Sequence, residues 1–296
     1  MVAHPSGTRI PLNGEFFRDV ARGASFVWTV QAHDFLRSLT GARCWAKIAF
    51  LPQRPRPYYA IWPVCRLARI KIVSDPAEAD LLFFFHDTPS YEEALPDTDR
   101  PILNGRCRDV RKSHVSRLFA AVFGYPLGID PTTHRGAAVE KSELNGVHDG
   151  KIIQCPIEAP RPGMVYQRLI ENTVDGMEFT DIRTPVVGGR APVVYLKRRT
   201  PDKRFSNSNH QVDLGRTDDY LSADEQSKVG EFCEAIGLDF GGLDILRDRA
   251  DGRIYIVDVN KTDMGPPTAL AGADKIRAMN RIADAFRAFV AAKLQK

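Results

Sequence analysis

The stretch "IYIVDVNKTDMGPP", residues 254–267, decides how this chain is read. Ile254, Tyr255, Ile256, Val257 and Val259 are β-formers, and Asp258 and Asn260 are set into the end of the run. Side chains alternate along a strand, so Asp258 and Asn260 share one face. "GGLDILRD" (241–248) precedes the run across an Asp251-Gly252 turn and predicts its antiparallel hairpin partner. A turn centred near residue 251 sets Asp244 opposite Asp258. Directly opposed residues have Cβ atoms about 5 Å apart. Two acids beside an amide repel unless a cation sits between them. Oxygen-only donors select a hard ion, and Mg2+ held by a few carboxylates plus substrate phosphates fits that donor set best. The plainer alternative has Asp244 facing solvent at a strand end and Asn260 capping the turn into "KTDMGPP".

The chain has 296 residues, enough for one large domain or two to three small ones with a real core. A net charge of +4 is too small for this length to argue for nucleic acid or a membrane surface as partner. Five cysteines (44, 65, 107, 155 and 233), an odd number without a CxxC, read as reduced thiols rather than disulfides or a zinc site. The first residues lack the basic-then-apolar pattern of a signal peptide, and "LLFFF" (81–85) is far short of a membrane span. These features predict a cytoplasmic protein.

Outward from the hairpin, the apolar patterning predicts strands at 47–51, 69–74 and 81–87, with a short strand at 101–105. Residues 1–103 therefore read as a small α/β domain. A helix is expected over 107–123, with Val115, Leu118, Phe119, Val122 and Phe123 at helical spacing and Gly124 as its cap. Residues 137–157 read as strand, polar glycine-containing loop, strand, and 164–170 as another strand. Residues 179–199 predict a hairpin turning at Gly188-Gly189. Ser222 and Glu225 form a capping box for a helix to Ile236, stopped by Gly237. The chain ends in an amphipathic helix carrying Ile276, Met279, Ile282, Phe286, Phe289, Val290 and Leu294 on or near one face.

"GLDFGGLDILRDRADGRIYIVDVNKTDMGPP" (237–267) resembles the C-terminal signature of the ATP-grasp superfamily, and earlier segments match that family in order. Lys112 resembles its first phosphate-directed lysine. Lys141, in "VEKSELNGVHDG" (139–150), resembles the second, followed by a flexible loop whose Gly146, His148 and Gly150 would lie over the phosphates. "VYQRLIEN" (165–172) resembles the hinge strand that meets adenine, which implies Gln167, Arg168, Leu169, Ile170 and Glu171. "TDIRTPVVGGR" (180–190) resembles the D-x-R hairpin, and "KRRTPDKRFSNSN" (197–209) the basic segment facing the transferred phosphate. Taken alone, Lys141 reads equally as a solvated lysine, "ELNGVHDG" as a plain turn, and 197–204 as a solvated face or nucleic-acid patch.

The resemblance implies an ATP-grasp fold, two α+β subdomains clasping ATP, behind a small α/β N-terminal domain. The expected divisions are 1–103, a central lid subdomain 104–165, and a C-terminal subdomain 166–296 holding the metal site. It implies ATP and two Mg2+ ions (Mn2+ substituting) on Asp244, Asp258 and Asn260, with Arg183, Arg204 and Lys197 serving the transferred phosphoryl group. The implied activity is a ligase joining a small-molecule or peptide carboxylate to an amine or thiol through an acyl phosphate. A hydroxyl kinase on the same site and a non-catalytic nucleotide binder are the alternatives, and a homodimer is an open arrangement. Two departures from the family stand out. The usual glutamate at the central metal position is Asp258, one methylene shorter, which leaves either Asp263 to help or the metal to sit nearer the strand. The Gly-Gly after the asparagine of the basic segment is replaced by "FSNSNHQVDLG" (205–215). His86, Asp87 and His210 are further candidates for substrate or phosphate contact.

Overall fold

The computed structural model describes residues 2–3, 9–10, 14–39, 41, 43–143, 149–174, 177–205 and 209–295. A short pair, β1 (Val2–Ala3) and β2 (Arg9–Ile10), precedes a long helix α1 (Gly14–Leu39). Next comes a parallel sheet of β3 (Ala46–Pro52), β4 (Ile70–Ile72), β5 (Leu81–Phe85) and β6 (Ile102–Leu103), in the order β4-β3-β5-β6, with α2 (Ile61–Leu67) crossing from β3 to β4. The five residues of β5 are all buried, as an uninterrupted apolar run in a parallel sheet requires.

Helix α3 (Lys112–Phe123) leads to a three-stranded antiparallel sheet of β7 (Gly136–Ser142), β8 (Lys151–Cys155) and β9 (Met164–Arg168), with β7 in the middle. The helix starts five residues later than the sequence pattern suggests. Residues 107–111 are held instead by other backbone, Cys107 N–H on the Asn104 carbonyl three residues back and Val110 N–H on the more distant one of Pro89. The helix stops where expected, at Gly124 with φ 80°, a left-handed conformation that glycine adopts without strain. Strand β9 spans the expected 165/166 division and pairs within this small sheet.

The largest sheet holds β10 (Thr173–Val174), β11 (Glu178–Val187), β12 (Val194–Arg199), β13 (Gln211–Gly215), β14 (Phe240–Arg247) and β15 (Ile254–Asn260), with the path β13-β12-β11-β14-β15. Helix α4 (Ala223–Ile236) lies between β13 and β14 and carries the Ser222/Glu225 capping box. Helix α5 (Gly272–Leu294) closes the chain. One face of the large sheet is apolar: Ile182, Val186, Val194, Leu196, Leu243, Ile245 and Val259 form a core with Phe119 of α3 and Phe232 of α4. The opposite face changes character along its length. At one end Val187 and Phe240 join a second core with α5 and the parallel sheet, which Tyr195 and Val212, the register partners of Arg183 and Lys197, extend along β12 and β13. Further along, the same face carries Asp181, Arg183, Lys197, Arg199, Asp244 and Asp258, as the cross-strand register shows. Among the described residues no helix is long and apolar enough to cross a membrane.

Candidate active site

The polar end of that sheet face is built by cross-strand pairing. Tyr195, Arg183, Asp244 and Asp258 are successive register partners on β12, β11, β14 and β15. Asp244 and Asp258 thus face the same side, directly opposite one another. Between Asp244 and Ile245 the register shifts: Asp258 pairs with Asp244 while Ile256 pairs with Ile245, so Val257 is an extra residue in β15. This is a β-bulge, a device that re-aims side chains.

Charge is packed tightly here. The guanidinium of Arg183, a residue 7% exposed, lies 2.8 Å from Asp244 Oδ2 and also pairs with Asp263. Lys197 Nζ is 3.9 Å from Asp244 Oδ1. Burial pushes the Asp244 carboxyl up, but the Arg183 and Lys197 charges outweigh it and hold Asp244 well below the usual carboxylate range. Asp258 goes the other way. Burial raises it, Lys112 and Lys141 pull against that, and the like charge of Asp244 adds to the rise. Lys141 Nζ donates to the Val257 carbonyl at 3.2 Å, and burial lowers its pKa to about 8 against the opposing pull of Asp258. Lys112 occupies the first turn of α3, and burial lowers Lys197.

One carboxylate oxygen of each acid, Asp244 Oδ1 and Asp258 Oδ1, is buried without a hydrogen-bond partner. Buried anionic oxygens are costly unless something neutralises them. Among the described residues no three His, Cys, Asp or Glu side chains are grouped to hold an ion. A divalent ion at this place would therefore rest on two carboxylates, the Asn260 amide and the oxygens of a phosphate ligand. That donor set is hard and oxygen-only, as Mg2+ requires.

No protein-family model matches the sequence, and no curated protein matches it. Solved structures do match in shape. The ATP-grasp ligase PsnB, complexed with a phosphomimetic variant of a minimal precursor, Mg and ADP, aligns with a TM-score of 0.54 and 13% identity over 83% of this chain and 98% of that one. PsnB with precursor peptide PsnA2 and AMPPNP aligns at 0.50 and 12% over 86% and 98%. The chain has the ATP-grasp fold. At such low identity the likeness establishes the fold and leaves the reaction to the residues.

Within the ATP-grasp fold, the residues singled out from the sequence fall into three groups. Asp244, Asp258, Asn260, Arg183, Lys197, Lys112 and Lys141 lie on or against the polar sheet face. The hinge segment is divided. Gln167 and Arg168 have their backbone in the β7–β9 ladder, the Arg168 N–H donates to the Leu127 carbonyl, and the Arg168 side chain turns away to Asp248 and the Tyr255 hydroxyl. The Ile170 carbonyl accepts from Arg204 at 2.6 Å and that of Glu171 from Arg249 at 2.7 Å, while Leu169 lies between the ladder and these contacts. Arg204 thus reaches the hinge and stacks over Phe179, close enough to Asp181 of the polar face to feel its charge. His210 pairs with Glu178 at 3.0 Å, and Asp87 accepts from Tyr59 and Thr262. Gly146 and His148 lie outside the described residues; Gly150 packs so closely on Phe205 that an added Cβ would meet its ring at 2.9 Å.

Asp263 and Lys261 carry more than the sequence suggested. Asp263 contacts Arg183. Lys261, 3% exposed, has its ammonium without a hydrogen-bond partner, 5.0 Å from the Phe84 ring centroid. The sequence signal for Lys261 was its place directly after Asn260, and Asp263, three residues on, was read as a helper at the metal position rather than as a partner of Arg183.

Proposed function

We propose that this protein is an ATP- and Mg2+-dependent ligase that joins a carboxylate to an amine or thiol through an acyl phosphate, releasing ADP and phosphate. One observation carries the reading: Asp244 and Asp258 face each other, each with a buried oxygen that accepts no hydrogen bond, among Arg183, Lys197, Lys141 and Lys112. Asp244, Asp258 and Asn260 would hold the ion, which when bound neutralises and orients the phosphate oxygens. Lys112 and Lys141 supply positive charge from the other wall. Arg183 spends two of its five donors on carboxylates and keeps the rest for an oxygen of the transferred phosphoryl group.

In this reaction an acceptor carboxylate oxygen attacks the γ-phosphorus and ADP leaves. The amine nitrogen then attacks the acyl carbon, loses a proton, and phosphate departs. The chain's task is to align reactants and balance charge, so no side-chain nucleophile is needed. The PsnB structures hold a precursor together with nucleotide, which supports including peptides among the acceptors tested. The five free cysteines support a cytoplasmic setting.

The test is ADP release with Mg2+ across amino acids, sugars and short peptides, with and without hydroxylamine. A ligase gives a hydroxamate with its carboxylate acceptor. ADP release on a hydroxylated acceptor without hydroxamate would make the protein a kinase. Nucleotide binding without ADP release from any acceptor would make it a non-catalytic binder.

A further inference from the structure

Arg183 has two carboxylate partners, and only one of them belongs to the ion site. Its Nη1 lies 2.8 Å from Asp244 Oδ2 and its Nη2 donates to Asp263. Arg183 and Asp263 are buried, 7% and 6% exposed, and Asp244 is partly buried beside them. Asp263 is fixed from behind, because its carbonyl accepts from the Ala60 N–H at 2.8 Å. Its carboxylate lies over Gly242, the one position of β14 in this row without a side chain. An added Cβ there would collide with the carboxylate and come within 3.0 Å of Arg183 Nε.

The difficulty for an ion is that Arg183 already holds one oxygen of Asp244, Oδ2, so an ion on this carboxylate competes with the guanidinium for its charge. If Asp244 were its single anionic partner, an arriving ion would strip a buried guanidinium of its charge balance, which is strongly unfavourable. With Asp263 in place, Arg183 stays paired while Asp244 turns to the ion. We propose that Asp263 is a positioning residue that holds Arg183 so that Asp244 can exchange from guanidinium to Mg2+. The inference rests on the ligase reading for the presence of ion and nucleotide. It assigns Asp263 to the arginine and not to the metal, although it follows the Asp258–Asn260 pair by only a few residues.

The experiment measures ADP affinity by calorimetry over a Mg2+ series, and Mn2+ binding by electron paramagnetic resonance, for wild type, Asp263→Asn and Asp263→Glu. In Asp263→Asn the Mg2+ concentration giving half-maximal ADP affinity rises roughly tenfold or more, while ADP affinity without metal stays within about twofold. Free Mn2+ rises in parallel, and Asp263→Glu recovers part of the loss. A wild-type Mg2+ midpoint in Asp263→Asn, with a lowered melting temperature, overturns the inference by showing a merely structural role. So does loss of ADP affinity that is equal with and without metal. Wild-type protein that binds no ADP at any Mg2+ concentration overturns the ligase reading itself, a result distinct from these.

Discussion

Asp258→Asn separates what the facing carboxylates cost from what they do. Asp258 and Asp244 are direct register partners, so their Cβ atoms are about 5 Å apart. With an effective dielectric constant of about 20, two unit charges at about 5 Å repel by about 3 kcal/mol. Lys112 and Lys141 offset part of this, yet burial and Asp244 together leave the Asp258 carboxyl above its ordinary range. A carboxyl whose pKa is raised on folding has its charged form disfavoured in the native state. At neutral pH its charge is therefore a net cost, and a neutral group of the same shape relieves it. Asp258→Asn should melt at or a few degrees above wild type, since about 1 kcal/mol moves a chain of this size by about 2–4 °C. Function should move the opposite way. ADP and Mg2+ at about a hundredfold excess over Kd stabilise a binding protein by about 2.7 kcal/mol, a shift of roughly 5–10 °C. The variant should lose most of the Mg2+-dependent part of that shift, and its turnover should fall at least about a hundredfold. Thermal melts with and without Mg2+, paired with ADP release, check both halves. A variant that melts several degrees lower and keeps the full Mg2+-dependent shift would refute the reasoning, because Asp258 would then be a structural charge.

Gly242→Ala should drive Asp263 off Arg183, lower stability by about 1–3 kcal/mol and cut turnover; wild-type melting and turnover would show the contact is dispensable. Lys141→Met should raise the Kd for ATP roughly ten- to hundredfold, the value of a charged hydrogen bond, without lowering the melting temperature, and unchanged affinity by calorimetry would remove Lys141 from the phosphate wall. Because burial brings Lys141 to about 8, wild-type affinity should decline above that pH and the variant's should not. Glu140 is held down to about 2 chiefly by the Arg161 hydrogen bond, against burial and with help from Lys151 and Tyr166. A depressed carboxyl stabilises the fold above its ordinary pKa and loses that contribution as pH falls from about 4.5 towards 2. Glu140→Gln should therefore be less stable at neutral pH by about 1–2 kcal/mol, allowing for the solvent-exposed partners, and should show a flatter acid limb in urea melts; parallel limbs would rule this out.

What the sequence made legible was local chemistry. The Gly188-Gly189 turn has φ of 55° and 75° and joins β11 to β12 as read. The Ser222/Glu225 box and Gly237 bound α4 at both ends, and counting back from the Asp251-Gly252 turn put Asp244 opposite Asp258. What stayed hidden depends on contacts far apart along the chain. The pairing of Arg183 with Asp263 spans 80 residues. The residues just before α3 are held by the Pro89 carbonyl, 21 residues before Val110, which the periodicity of 107–123 does not show. Arg204 is claimed by a carbonyl 34 residues earlier, which no count of basic residues could reveal. The long α1 buries little to pattern its sequence, with Phe26 and Val30 as its buried side chains among those described.

The bulge explains how a strand with two masters is built. In a regular β15, Ile254, Ile256, Asp258 and Asn260 would all share one face. Either two isoleucines would enter the charged face or a carboxylate and an amide would enter the core. The extra residue at Val257 reverses the alternation between these pairs. Ile256 goes with Ile245 into the apolar core, while Asp258 goes with Asp244 to the polar face. The same residue offers its carbonyl to Lys141, which reaches across from the three-stranded sheet. One inserted residue thus fixes the core, aims the carboxylate and ties a cation from the opposite wall beside it. The β-forming run of 254–259 contains Val257 as one more apolar residue, so its composition conceals the position on which the site's geometry turns.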